Sequence, residues 1–139
     1  MNEAWRQLGT PRTGGILLIA DHASNYVPDD IDLGIDPALL TNHIAIDIGV
    51  AEVAASLVEN DAVDAAILGG VSRLVADCNR EEESPGVLPI ASDGHAVPGN
   101  ALDEAGRADG PGGVLWALNT PMWRRRQPPH VSLNTVTRW

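Results

Sequence analysis

The sequence predicts an α/β fold: a three-layer α/β/α sandwich around a mixed, mostly parallel sheet, with an incomplete carboxyl-terminal part. Two observations predict it. Short apolar runs bounded by glycine, such as Ile16-Leu-Leu-Ile-Ala20 after Gly14-Gly15, fit strands covered on both faces. Downstream, Val50, Val53, Ala54, Leu57 and Val58 fall at i, i+3, i+4, i+7 and i+8, the single apolar stripe of a helix. At 139 residues the chain makes one domain, long enough to bury a sizeable core.

The elements follow in order. Residues 16–20 form the first strand. Asp36-Pro37 is a helix start, with Asp as cap and Pro in the first turn, and Leu39, Leu40, His43 and Ile44 continue at helical spacing. The helix from Val50 ends at Glu59-Asn-Asp. Two further strands are expected, Val63 to Leu68 and Ser72 to Ala76, split by Gly69-Gly70. Glu81-Glu-Glu-Ser-Pro-Gly is a solvated turn, and residues 84–100 are loop. Residues 1–105 thus make the core. Residues 106–139, with Gly110-Pro-Gly-Gly113 and Pro128-Pro129, read as a divergent, loosely ordered tail.

The formal charge of −10 argues against a nucleic-acid partner, whose phosphates need a basic face. No apolar run approaches the ~20 residues that span a bilayer, and the amino terminus lacks the plan of a signal peptide. With Cys78 as the only cysteine no internal disulfide forms, which fits a reducing, cytoplasmic setting. The sequence leaves the oligomeric state open.

Four polar clusters carry the candidate chemistry. The first is Leu18-Ile-Ala-Asp-His-Ala-Ser-Asn-Tyr-Val-Pro28, an apolar strand running into a loop with His22 and Asn25. Open α/β sheets put their chemistry at such strand ends, and a neutral imidazole there is a good zinc ligand. The alternative is a His that merely stabilises the loop. His43 and Asp47 come next, four residues apart and on one face if the helix reaches them. Asp47 either completes a metal site or caps the following helix; His43, on an apolar stripe, belongs to the core or behind a ligand. The third cluster is Ser72-Arg-Leu-Val-Ala-Asp-Cys-Asn-Arg80. A guanidinium matches a carboxylate with two parallel hydrogen bonds and Asn adds a neutral donor, so Arg73, Asn79 and Arg80 could grip an acidic substrate. A surface ion pair from Arg80 to Asp77, Glu81 or Glu82 is the competing reading. Cys78 is a small buried residue with nothing to activate it. The fourth is Ser92-Asp-Gly-His-Ala-Val-Pro-Gly-Asn100, whose glycines suit the wall of a cleft.

Together and in this order, these clusters resemble the N-formylglutamate amidohydrolase family, relatives of the zinc carboxypeptidases and aspartoacylases, over roughly residues 14 to 100. The resemblance implies metal-assisted hydrolysis of the N-formyl or N-acyl amide of an acidic amino acid. Zinc would be the cofactor, His22 and Asp47 its ligands, and Arg80, Asn79, Arg73 and Asn25 the substrate-binding residues. It further implies a downstream His-Ser-Phe-Thr-Pro-like segment with a second zinc-binding His, and a catalytic Glu. Here Val131-Ser-Leu-Asn-Thr-Val-Thr137 is a faint echo with Asn134 in the His place, and no acid follows Asp109. The catalytic base is therefore unassigned, and a weak or inactive hydrolase is expected from this chain. The alternative is a non-catalytic remnant that binds a small carboxylate.

Overall fold

The computed structural model describes residues 4–81, 84–101 and 137–138. Ile16–Ala20 is strand β2 and Ala65–Gly69 is β3, and they pair in parallel from Leu17 beside Ala65 to Ala20 beside Leu68. Trp5–Gly9, a strand the sequence reading misses, is β1 and runs antiparallel along the other side of β3. Thr137–Arg138 is β6, antiparallel to β2 at Leu17 and Ile16, so the sheet order is β1-β3-β2-β6. The tail thus contributes a strand pair at these two positions; Asn134 and the rest of it lie outside the described residues.

The sheet is mixed, as expected, but not mostly parallel: β2–β3 is its one parallel pair among the described strands. The reason lies in the connections. Residues 10–15 are too few for the crossover that would return the chain to its starting end, so β1 and β2 run in opposite directions. Residues 21–64 are long enough, and they contain the helix α1, Val50–Glu59.

α1 packs on one face of the sheet, where Ala54 meets Ala20, Ala23, Ala66 and Leu68. The small side chains let helix and sheet approach closely. Val53, counted in the stripe, is instead 58% exposed. The opposite face buries Leu17, Ala65 and Ile67 against Trp5 and Ile19. Among the described residues no helix covers that second face, so a third layer is not seen.

Two expected elements take another form. Asp36 does cap a helix, accepting from the Ala38 amide at 2.9 Å, but this is a 3₁₀ helix, Pro37–Thr41, and it stops at an extended Asn42. His43 and Asp47 therefore share no helical face. Ser72–Ala76 is not a strand either: the Ser72 hydroxyl accepts from the Leu74 amide, and the amides of Val75 and Ala76 donate to the Ser72 carbonyl. This local bonding outcompetes a ladder. The segment is still buried, with Val71, Leu74 and Val75 in a core with Leu33, Ile44, Ala45 and Val97.

The Val-Pro-Gly-Asn block braces this core instead of lining a cleft. Asn100 is fully buried and its Nδ2 donates to the carbonyls of Leu74 (2.7 Å) and Pro89 (2.9 Å). A Cβ on Gly99 would collide with the backbone of Asp32 and Leu33. Ahead of it, Ala91–Ser92 (β4) and His95–Ala96 (β5) form a hairpin around Asp93 and Gly94, both at positive φ, the conformation a two-residue turn requires.

At the other end of the sheet, Asp64 ties β2 to β3. Its carboxylate accepts from the Ile16 amide at 2.6 Å and pairs with Arg12. The Ile16 amide holds it below the usual carboxylate range; burial, the next effect, pushes it up, and the Arg12 hydrogen bond and charge add to the lowering. A lowered pKa contributes stability above the unfolded value near 3.8, lost as pH falls through the folded value. Asp64→Asn should therefore destabilise at pH 7, and the gap to wild type should close below the ordinary carboxylate range. Urea midpoints across pH check this; a gap independent of pH would contradict it.

Candidate functional site

The carboxyl ends of β2 and β3 open onto three loops, and hydrogen bonds braid these together. The Asp47 amide donates to the His22 carbonyl (3.0 Å), and the Ser72 amide to that of Tyr26 (2.8 Å). The Ser72 hydroxyl (2.9 Å) and the Arg73 amide (3.2 Å) both donate to the Ala45 carbonyl. His22, Asp47, Arg73 and Asp77, spread over 55 positions, thereby meet in one cluster.

His22 is its centre. The residue is 3% exposed and sits at φ 49°, in the left-handed region that few non-glycine residues enter. Its Nε2 lies 2.8 Å from Asp77 Oδ1, its Nδ1 3.3 Å from Asp47 Oδ2. Burial pushes the Asp77 carboxyl up, but the His22 hydrogen bond and charge, the Asn79 amide and Arg73 outweigh it and hold the group below its ordinary value. Asp77 is then a carboxylate, which can only accept, so Nε2 carries the proton. Nδ1 faces Asp47, as a second donor in the charged ring and as a lone pair in the neutral one.

Arg73 closes the cluster, with its guanidinium 3.0 Å from Asp47 Oδ1 and 3.6 Å from Asp77 Oδ2. Of the expected substrate-binding residues it is the one drawn inward. Arg80 is 59% exposed, its Nε 3.6 Å from Asp77. Asn79 touches the cluster through its backbone, donating to Asp77 Oδ1 at 3.1 Å. Asn25 stands apart from these three. It lines a cavity of about 610 Å³ with Arg6, Tyr26, Asp47 and Glu52, so Asp47 belongs to both cluster and cavity.

Other expectations fare differently. The Asp47 side chain does not cap α1, whose N-cap is Gly49; the Asp47 carbonyl accepts from Val50 instead. His43 is not in the core: it is 72% exposed and pairs at 3.1 Å with Asp93 on the hairpin. Burial, with Asp21 and Asp77 adding, pushes the Cys78 thiol up to about 12, so it is inert as a nucleophile.

Two acids go unassigned in the sequence reading. Asp77 was visible there only as a partner for Arg80. Asp21 is 3% exposed and its Oδ2 has no hydrogen-bond partner among the described residues. Burial raises its pKa to about 7; His22 pulls it down, Asp77 and Asp47 push it up. The only signal was its place beside His22 at the strand end.

For a metal, the donor set can be tested against tetrahedral geometry. Bonds of about 2.0–2.2 Å to nitrogen and oxygen set two ligands about 3.3–3.5 Å apart. The Nδ1 to Asp47 Oδ2 separation of 3.3 Å matches that edge. Asp77 behind Nε2 is the orienting carboxylate that metal-binding imidazoles usually have. These residues fit two positions of a site; no larger group of His, Cys, Asp or Glu that could hold a metal occurs among the described residues.

A model of the N-formylglutamate amidohydrolase family matches residues 14–125. The chain belongs to the N-formylglutamate amidohydrolase family. The match takes in His22, Asp47, Asp77 and Arg80. No curated protein matches the chain. Among solved structures, gene product Atu2144 from Agrobacterium tumefaciens is similar, with 32% identity and a TM-score of 0.71 over 88% of this chain. The chain spans about half of that protein's length, 48%.

In this family member Asp77 is the shared acceptor of the cluster. Asp77→Ala would leave the buried His22 Nε2–H without a partner and Arg73 with Asp47 alone. Breaking such a pair should cost about 3 kcal/mol of stability. Chemical denaturation measures it; a loss under about 1 kcal/mol would mean that the cluster adds little to the fold.

Proposed function

We propose that the site hydrolyses the N-formyl or N-acyl amide of an acidic amino acid, N-formylglutamate first, with zinc held by His22 Nδ1 and Asp47 Oδ2. The observation that carries this reading is the 3.3 Å Nδ1–Oδ2 edge with Asp77 behind the ring, in a chain of this family. A zinc ion bound there would polarise the amide carbonyl and make water acidic enough to attack near neutral pH. Asp77 keeps the proton of His22 on Nε2 and so presents the Nδ1 lone pair. Arg73 pins the Asp47 carboxylate, leaving its Oδ2 toward the ring.

Arg80, with Asn79, is the group for the substrate carboxylate. It stands partly in solvent, and beyond its Nε contact with Asp77 its terminal nitrogens have no acid partner among the described residues. Asn25 and Asp47 border the cavity that would receive the acyl amide. Neither a third protein ligand nor a proton-transferring base is assigned, and turnover well below that of longer family members is expected. Losing general acid–base help typically costs about 10²–10⁴ in rate.

Zinc titration of wild type and His22→Ala, with formate release from N-formylglutamate measured alongside, tests this. Wild type should take up zinc and the variant should not while still folded, though destabilised by the loss of the Asp77 partner. Equal zinc uptake by both would remove His22 from the site. Glutamate binding with neither zinc uptake nor formate release would fit the non-catalytic carboxylate binder.

Arg80 has its own test. A planar fork grips a carboxylate in a way an ammonium does not, so Arg80→Lys should be nearly as harmful as Arg80→Ala. The exposure of Arg80 limits the loss to about 1–2 kcal/mol in glutamate affinity. Full affinity in the Lys variant would reduce Arg80 to a surface ion pair.

A further inference from the structure

Of the four arginines before residue 100, three face an acid. Arg12 pairs with Asp64, Arg73 with Asp47 and Asp77, and Arg80 lies near Asp77. Arg6 has no acid partner among the described residues. It is exposed on β1, yet it lines the cavity that also contains Asn25 and Asp47.

The topology explains how it gets there. Because β1 is antiparallel, it begins at the end where β2 and β3 finish, with Trp5 opposite Gly69 and Arg6 opposite Leu68. Strand alternation gives Arg6 and Leu8 the same face, and Leu8 packs in the cluster of α1. Arg6 therefore stands on the helix side of the sheet, at its carboxyl edge.

The charged side chains of that cavity are Arg6, Asp47 and Glu52. Arg73 answers Asp47 at 3.0 Å. Glu52 lies in the first turn of α1, where the helix dipole favours an acid. The charge of Arg6 is left over. The cavity, about 610 Å³, suits a small ligand such as an acylated amino acid.

We propose that Arg6 is a specificity-determining residue that receives a second carboxylate, the side-chain one, of a dicarboxylic substrate. This rests on the reading of the site as an acyl-amide hydrolase in which Arg80 takes the other carboxylate. An amidated side chain of the same shape would forgo the ion pair and bind more weakly.

Glutamate and glutamine differ in that one group and are not hydrolysed by the proposed reaction, so their binding can be titrated directly. Wild type should prefer glutamate by about tenfold, the scale of a partly solvated charge contact of about 1.4 kcal/mol. Arg6→Gln should lose that preference while binding glutamine as before, and Arg6→Lys should keep part of it. Equal losses for both ligands, no change for either, or no glutamate preference in wild type would overturn the role of Arg6. Formate release by wild type, measured in parallel, tests the hydrolase reading separately. Release from N-formylglutamate and N-formylglutamine at equal kcat/KM would sink the Arg6 assignment and leave the hydrolase standing.

Discussion

The hydrogen bond between His22 Nε2 and Asp77 Oδ1 is the contact on which the site depends. Asp77 is buried, and a lone carboxylate there would be costly. It is tolerated because the His22 ring, the Asn79 amide and Arg73 all converge on it. The same convergence keeps a proton on Nε2 and turns Nδ1 toward Asp47. One carboxylate thus sets both the local stability and the chemical polarity of the cluster. Asp21, one residue from His22, has no such set of donors, and its carboxyl is raised where that of Asp77 is lowered.

The backbone of His22 belongs to the same balance. A left-handed conformation costs on the order of 1 kcal/mol or more in a non-glycine residue and persists where the surroundings over-determine it. Here the carbonyl is held by the Asp47 amide and both ring nitrogens lie against carboxylates. Asp47 is the hinge of the arrangement, since it meets His22, Arg73 and the cavity together.

What the sequence made legible follows from the range of the forces involved. β2, β3 and α1 were visible because local apolar periodicity dictates them. β1 was not, since Trp-Arg-Gln-Leu-Gly is half polar and becomes a strand by pairing with β3. The Ser72 turn was hidden because one hydroxyl, invisible to an apolar pattern, redirects the backbone. His22 and Asp47 stood out by residue type and motif order, whereas the partnership of His22 with Asp77 is a tertiary fact. The same holds for Arg73, whose charge was legible but whose commitment to two acids was not. Asn100 reversed its expected part: a motif that suggested a cleft wall turned out to lace two carbonyls of the core.

The pairing of β6 with β2 has a consequence for how the chain reaches its fold. Ile16 meets Arg138 and Leu17 meets Thr137 across separations of 122 and 120 residues, far longer than in any other strand pair described. Loop-closure entropy makes such a contact late to form. Until it forms, the outer edge of β2 offers unpaired amides and carbonyls beside the apolar run Ile16-Leu-Leu-Ile, an arrangement that invites pairing with another chain. The interval before β6 docks is therefore when this edge is most open to self-association.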